Sequence, residues 1–525
     1  MNSTEEGLSL MITELIEDLQ KSVIYSQLQK AARFEVSKPG LRLVDLKKGV
    51  QQALISSGWE RKLRNEVYRF MQKAVQPPHP AVPLECSKEP LAFLRKAQLN
   101  WEKRILKSLN SMCTELNTPL AKKRSEKDQK ELAARWTEIG ADLPDLSSFR
   151  PVYAPKDFLE VLASVKNTNC VSGDGTVGFQ NMWGIIQVNL KIKDIHGLRL
   201  RYNEMSINQC QTGVDDSQDI PLELFEQERT KLAKKVLAVS HSPLTQEFAK
   251  KGCPIGQRAE LWCQMLGVTM DDIDRLYYEQ LKQYVLQHEL LIDTLIHKDV
   301  KLTATNDDQY FVFEDYLYQI LLPFARDTAV LEHFKSSSAN PPKAFIRGKL
   351  GDEEFAVNYP PNGIIPFHGF AMYVTPMCYI YNDPVKLYFI FREMYLRYFC
   401  KLHTISSHPE GIMSLCRLFE DLLQTHEPQL FQHLKSCGIQ PLKVAFKWMF
   451  RAFSGYLASD QVLLLWDRIL AYGSLEILAV LAFAIFSFRK TNLMQVEAYS
   501  ASEAVLADLT TLKVIPLIQL SLFTI

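Results

Sequence analysis

From Gly252 onward, apolar residues recur at the three- and four-residue intervals of a helix face, and proline or glycine cuts the run repeatedly. A chain patterned in this way buries its apolar stripes only by packing short helices on one another, so an all-α domain of roughly ten or more helices follows. The expected helices are Gln257 to Leu266, Asp272 to His288, Phe311 to Phe324, Pro384 to Leu402, Gly411 to Glu427, Pro428 to Cys437, Lys443 to Phe453 and Ser459 to Ala471. The most apolar stretch, Ile477 to Phe488, is shorter than the roughly 20 residues a membrane span needs, which makes it a buried helix.

Ahead of this domain, residues 1–75 are expected to be helical, with Leu8, Leu10, Met11, Leu15, Ile16 and Leu19 falling mainly on one stripe and a second helix from about Gly58. Residues 76–90 carry five prolines and read as a linker. Residues 91–220 form a mostly helical region with room for short strands, since Ile185 to Ile192 (IIQVNLKI) alternates apolar and polar. The charged run Ala121 to Trp136 interleaves Glu126, Asp128 and Glu131 with its lysines, so it is a solvated helix face and not a nucleic-acid patch. Residues 221–250 connect to a domain at 251–490, with an insertion at about 325–362, and 491–525 form a helical tail.

Lys plus Arg equals Asp plus Glu at 60 each, so no net field draws the chain to nucleic acid or anionic lipid. Ten cysteines are scattered without a C-x-x-C pair, as free thiols in a reducing compartment would be, and the acidic N-terminus is wrong for a signal peptide. A cytoplasmic protein without a transmembrane segment is expected. No phosphate loop, dinucleotide fingerprint, zinc helix or nucleophile elbow is present: HEL at His288 lacks a second histidine, and His403 and His408 fall off one helical face. Neither a metal nor a cofactor is expected.

Two blocks carry more. GCPIGQRAELWCQMLG holds Arg258 and Trp262 at i, i+4 on one helix closed by Gly267, and the segment from Leu442 to Phe483 holds Trp448, Phe453, Trp466, Asp467 and Gly473. In this order and spacing they resemble the TBC domain of Rab GTPase-activating proteins: the family's G-x-P…R-x-x-x-W…G opening and its W…F helix followed by W-D-x-x-L…G. YYEQL (Tyr277 to Leu281) is similar to the family's Y-x-x-L helix, and the resemblance runs from Gly252 to about Lys490.

The resemblance implies a Rab-family GTPase partner in its GTP-bound form, acting in membrane trafficking, and two fingers supplied in trans. An arginine from I-x-x-D-x-x-R neutralises charge on the phosphoryl oxygens, and a glutamine from Y-x-Q positions the attacking water. Laid on this chain, the first motif begins at Ile296, keeps Asp299 and puts Leu302 at the arginine position. The second puts Pro366 for the tyrosine and His368 for the glutamine, ahead of Gly369. Both fingers are replaced. Lys301, one residue off and without a guanidinium fork, and Arg326 or Arg347 in the insertion stand as substitute cations; alternatively Lys301 is solvated and His368 is a loop histidine. Asp272-x-x-Arg275 and Tyr278-x-Gln280 mimic the two motifs, but they lie on one expected helix, whereas the family's fingers come from separate loops. Two readings remain open: a GTPase-activating protein of weak activity, or a non-catalytic adaptor whose groove binds a GTPase or another partner.

Overall fold

In the computed structural model, residues 43–56, 58–61, 63–65, 67–68, 92–142, 146–165, 184–188, 190–214, 222–306, 310–334, 344–350 and 353–524 are described, with the single positions 16, 25, 29 and 33. The expected N-terminal stripe, Ile16 apart, and the linker at 76–90 lie outside them. Among the described residues, the helices that frame the site are α1 (Ala92–Glu115), α2 (Pro155–Ser164), α3 (Arg258–Leu266), α4 (Asp272–Gln287), α5 (Leu291–Asn306), α6 (Glu314–Phe324), α7 (Pro384–Arg397), α8 (Ile412–His426), α9 (Pro441–Phe450), α10 (Ser459–Tyr472), α11 (Glu476–Phe488) and α12 (Val514–Phe523). The fold is all-α, with four short strands beside these helices.

Local chemistry sets the boundaries. Pro155, Pro384 and Pro441 each stand in the first turn of their helix, where a missing N–H costs nothing. Gly267 and Gly473 close α3 and α10 in the left-handed conformation. The helix expected to run from Lys443 to Phe453 instead spans Pro441–Phe450, because Ala452 and Phe453 take φ of 47° and 65°, which no right-handed helix continues. The expected Pro384 to Leu402 helix divides at Tyr398, beyond which Phe399–Leu402 is a 3₁₀ turn. α11 is buried from Glu476 to Phe486 and packs on α8, α9 and α12, as a helix apolar on every face must. No helix among the described residues is long and apolar enough to cross a membrane.

One hydrophobic core runs from Leu94 to Leu522, so the N-terminal half packs on the C-terminal helices. Trp101 of α1 sets its edge on Tyr153 at 5.1 Å, and Phe158 of α2 meets Phe450 of α9 at 5.8 Å. Lys193 reaches the buried Glu476 at 2.7 Å and Arg201 reaches Glu410 at 3.2 Å.

The expected strand at Ile185 to Ile192 does not form. Ile186, Val188 and Leu190 are buried, so the alternation is one of burial, but the amides of Ile185 and Ile186 donate to the Glu420 carboxylate at 2.6 and 3.4 Å and not to a neighbouring strand. The strands lie elsewhere. β1 (Ala121–Lys123) pairs antiparallel with β2 (His288–Leu290), Ala121 opposite Leu290, and β3 (Ala344–Leu350) with β4 (Glu353–Tyr359) forms a hairpin inside the expected insertion. The rest of the charged run is the helix Glu126–Ala134, which has no buried residue.

Burial pushes Glu420 up to about 7, against the pull of the two amides and Arg417. A carboxyl whose folded pKa lies above its unfolded value binds its proton more tightly when folded, so stability falls as pH rises from the ordinary carboxylate range through about 7. Glu420→Gln removes that loss. Between pH 5 and pH 8 the wild type should lose about 1 to 3 kcal/mol more than the variant, read from denaturant midpoints at both pH values. Equal losses would refute it.

Candidate functional site

The two sequence blocks meet in the core. Asp467 of α10 is fully buried and its carboxylate accepts from Arg258 Nε at 3.1 and 3.2 Å, Arg258 Nη2 at 3.1 Å, the Trp262 indole at 2.7 Å and the Cys253 amide at 3.2 Å. Burial alone would lower the Arg258 pKa; the charge and hydrogen bonds of Asp467 outweigh it and hold the guanidinium above its ordinary value. Trp466 donates to Ala452 O at 3.0 Å, and Trp448 packs against Phe453 and Phe486. All five flagged residues of these blocks, Arg258, Trp262, Trp448, Trp466 and Asp467, are therefore framework.

Three of the remaining candidates, Asp299, Leu302 and His368, converge on a cleft. Leu295, Lys298, Asp299 and Leu302 recur at helix-face spacing along α5 and form one wall; Pro366, Phe367 and His368 form the second, and Pro151 from the N-terminal half forms the third. Asp299 joins the first two walls. Its buried carboxylate accepts from the amides of Gly369 at 2.6 Å and Ala371 at 2.8 Å, so a side chain of α5 caps the 3₁₀ turn Phe370–Tyr373. Burial raises the Asp299 pKa, while the two amides and the charges of His368 and Arg451 oppose it.

His368 is 40% exposed, with Nδ1 3.8 Å from Asp299 Oδ1. Burial lowers its pKa, Asp299 works the other way and Arg451 adds to the lowering, so the net effect favours the neutral form of the imidazole. Its backbone is held at both ends: His368 N donates to Tyr153 O at 3.0 Å, and Arg451 Nη2 donates to His368 O at 3.0 Å. Gly369 has φ of 94°, and a Cβ there would stand 2.4 Å from the Arg451 guanidinium, so both the backbone and the close approach require glycine.

The substitute cations lie elsewhere. Lys301 Nζ binds Glu314 Oε1 at 2.9 Å and Gly140 O at 3.4 Å, on the side of α5 that faces α6. Arg326 is buried against Asp293. Arg347 sits in β3 opposite Ala356. The mimicking pair is confined to α4, where Arg275 binds Asp383 at 3.1 Å and Gln280 donates to Tyr284 at 2.9 Å. Two residues of the site escaped the sequence reading, Arg451 and Lys298. Lys298 Nζ donates to Leu146 O at 3.0 Å, Ser147 O at 3.5 Å and Phe149 O. Its spacing to Leu302, four residues on, was the available signal. Among the described residues, no group of His, Cys, Asp and Glu is placed to hold a metal ion.

Residues 367–494 match the family model described as the Rab-GTPase-TBC domain. The chain is 58% identical over 523 residues to human TBC1 domain family member 19, covering 100% of this chain and 99% of that protein. Among solved structures, the TBC domain of a Chlamydomonas flagellar RabGAP is 16% identical with a TM-score of 0.42, covering 59% of this chain and 99% of that one. The Ypt/Rab-GAP domain of Gyp1p is 13% identical with a TM-score of 0.39, covering 57% and 96%.

Proposed function

Because the chain belongs to the TBC domain family of Rab GTPase-activating proteins, we propose that residues 251–490 bind a Rab-type GTPase in its GTP-bound form and regulate it in membrane trafficking. The observation that carries this reading is the single cleft in which Leu302, Asp299 and His368 converge, with Asp299 tying α5 to the loop. A finger frame needs that tie, because both groups have to approach one phosphoryl centre from separate segments.

Leu302 and His368 take the arginine and glutamine positions, so the finger positions supply no guanidinium for the developing charge, and that of Arg451 is engaged by the His368 carbonyl. A neutral, half-exposed imidazole at His368 can donate or accept a hydrogen bond and so orient water. The chain therefore accelerates its partner's GTP hydrolysis little, and binding outweighs catalysis. The adaptor reading gains from the ion pairs of Lys301 with Glu314 and Arg326 with Asp293, which commit two of the substitute cations elsewhere. The protein works in the cytoplasm and reaches membranes through partners, with residues 1–220 supplying the address.

A panel of Rab proteins, each loaded with GTP or GDP, tests this by retention on the full chain and by single-turnover hydrolysis. At least one GTP-loaded member should be retained, and its hydrolysis should rise by less than about tenfold, against the roughly 10³ to 10⁵ of an arginine finger. Retention of none rejects the partner class. An acceleration of about 10³ or more rejects the loss of the fingers, and Lys301→Ala, His368→Ala and Arg347→Ala would then trace its source.

A further inference from the structure

α5 turns Lys298 and Leu302 to the cleft, one helical turn apart, and directs Lys301, about 100° round from Leu302 and about 60° from Lys298, toward Glu314. The cation of the cleft is therefore Lys298. Its ammonium has three protons to donate, and the chain offers three carbonyl oxygens, those of Leu146, Ser147 and Phe149. These oxygens belong to a strap, residues 146–151, that lies against Lys298 and whose last residue, Pro151, forms the third wall of the cleft.

The strap is held unevenly. At one end Val152 and Tyr153 are buried, with the Tyr153 ring against Trp101 and Phe367 and its carbonyl accepting from His368 N. Before them, Phe149 packs against the hydrophobic core, and Arg150 reaches Ser108 Oγ at 3.0 Å and Glu115 at 3.6 Å through side chains about half exposed, a kind of pair that holds weakly in water. For the strap to leave the cleft with Val152 and Tyr153 in place, Phe149 has to come off the core and the Lys298 ammonium has to give up its three carbonyls.

We infer that Lys298 is the latent phosphate-facing cation of this cleft and that the strap of residues 146–151 withholds it. The inference rests on the Rab-directed reading above. Closed, the three carbonyls saturate Lys298; displaced, the strap leaves Nζ free to meet the phosphoryl oxygens of GTP bound to the partner. The water oxygen then bonds to the γ-phosphorus as the bridging P–O bond to the β-phosphate breaks, one water proton passes to the phosphate, and GDP and inorganic phosphate result. Lys298 gives up no proton; it balances charge gathering on the oxygens. A point charge lacks the guanidinium fork, so a gain of about ten- to hundredfold is expected, below that of an arginine finger.

The test uses the full chain and the Rab that it retains. Arg150→Glu with Pro151→Gly sets like charge against Glu115 and loosens the strap at exposed positions. Single-turnover hydrolysis should rise about tenfold or more over the wild type. Adding Lys298→Ala should remove the gain with retention intact, and adding Lys298→Arg should keep it. Lys298→Ala alone should speed hydrogen exchange across residues 146–151, a readout that does not depend on how the strap variants fold. A strap variant that retains the Rab without gain, a gain that survives Lys298→Ala, or unchanged exchange in Lys298→Ala overturns the inference. Retention of no Rab by any form sinks the partner reading first, and this inference with it.

Discussion

Replacing Asp467 with alanine should cost about 3 to 5 kcal/mol, the loss expected when one partner of a buried ion pair is removed. The variant would keep an indole N–H at Trp262 and an amide at Cys253 without their Asp467 acceptor, and a guanidinium at Arg258, 5% exposed, with only the Cys253 carbonyl at 3.4 Å left to it. The neighbouring Arg468 sharpens the loss. It is fully buried, its pKa lowered by burial and only partly restored by Asp467, and it donates to the carbonyls of Leu464 and Thr212 and the side chain of Gln211. Asp467 thus serves two guanidiniums. Against a total stability of about 5 to 15 kcal/mol, the loss should appear as a large fall in denaturant midpoint and in soluble yield. A double variant, Asp467→Leu with Arg258→Met, should recover most of the loss, because two apolar groups leave nothing buried and unpaired. A midpoint for Asp467→Ala within error of the wild type would show that the carboxylate does not carry this load.

The frame was readable before the folding because its parts are local. Arg258 and Trp262 share a helix face, Trp466 and Asp467 are adjacent, and each block is punctuated by glycine or proline. What the blocks do together was not readable, since their hydrogen bonds join residues more than two hundred positions apart. The same distance hid Lys298: its acceptors are backbone carbonyls about 150 residues upstream, and a carbonyl leaves no mark on a side-chain pattern. Ile185 to Ile192 failed for another reason, since alternation reports which side is buried and not what the amides bond to. The β3–β4 hairpin had a usable sequence signal, the dipeptide Gly-Asp at positions 351 and 352 between two runs rich in strand-forming residues.

Leu302→Arg with His368→Gln tests the assignment of the finger positions, and it should have the largest effect on rate. Both positions line the cleft, and the tie between their segments depends on neither side chain: Asp299 binds the amides of Gly369 and Ala371, and the backbone of His368 is fixed by Tyr153 O and Arg451. The frame should therefore accept the new residues without shifting. Leu302→Arg alone should supply most of the gain, of order 10² or more, because the guanidinium balances phosphoryl charge; His368→Gln alone should change little, since an imidazole already offers a donor and an acceptor to water. The strap introduces a further distinction. If its carbonyls shield the cleft, the double variant should gain more when combined with Arg150→Glu and Pro151→Gly than in the closed chain. The combination should exceed the product of the two separate effects, as expected when two changes act on one site. Should GTP on a retained Rab be hydrolysed no faster even with the strap loosened, Leu302 and His368 do not occupy the finger positions. Should the gain be equal in both backgrounds, the fingers are placed correctly and the strap does not guard them.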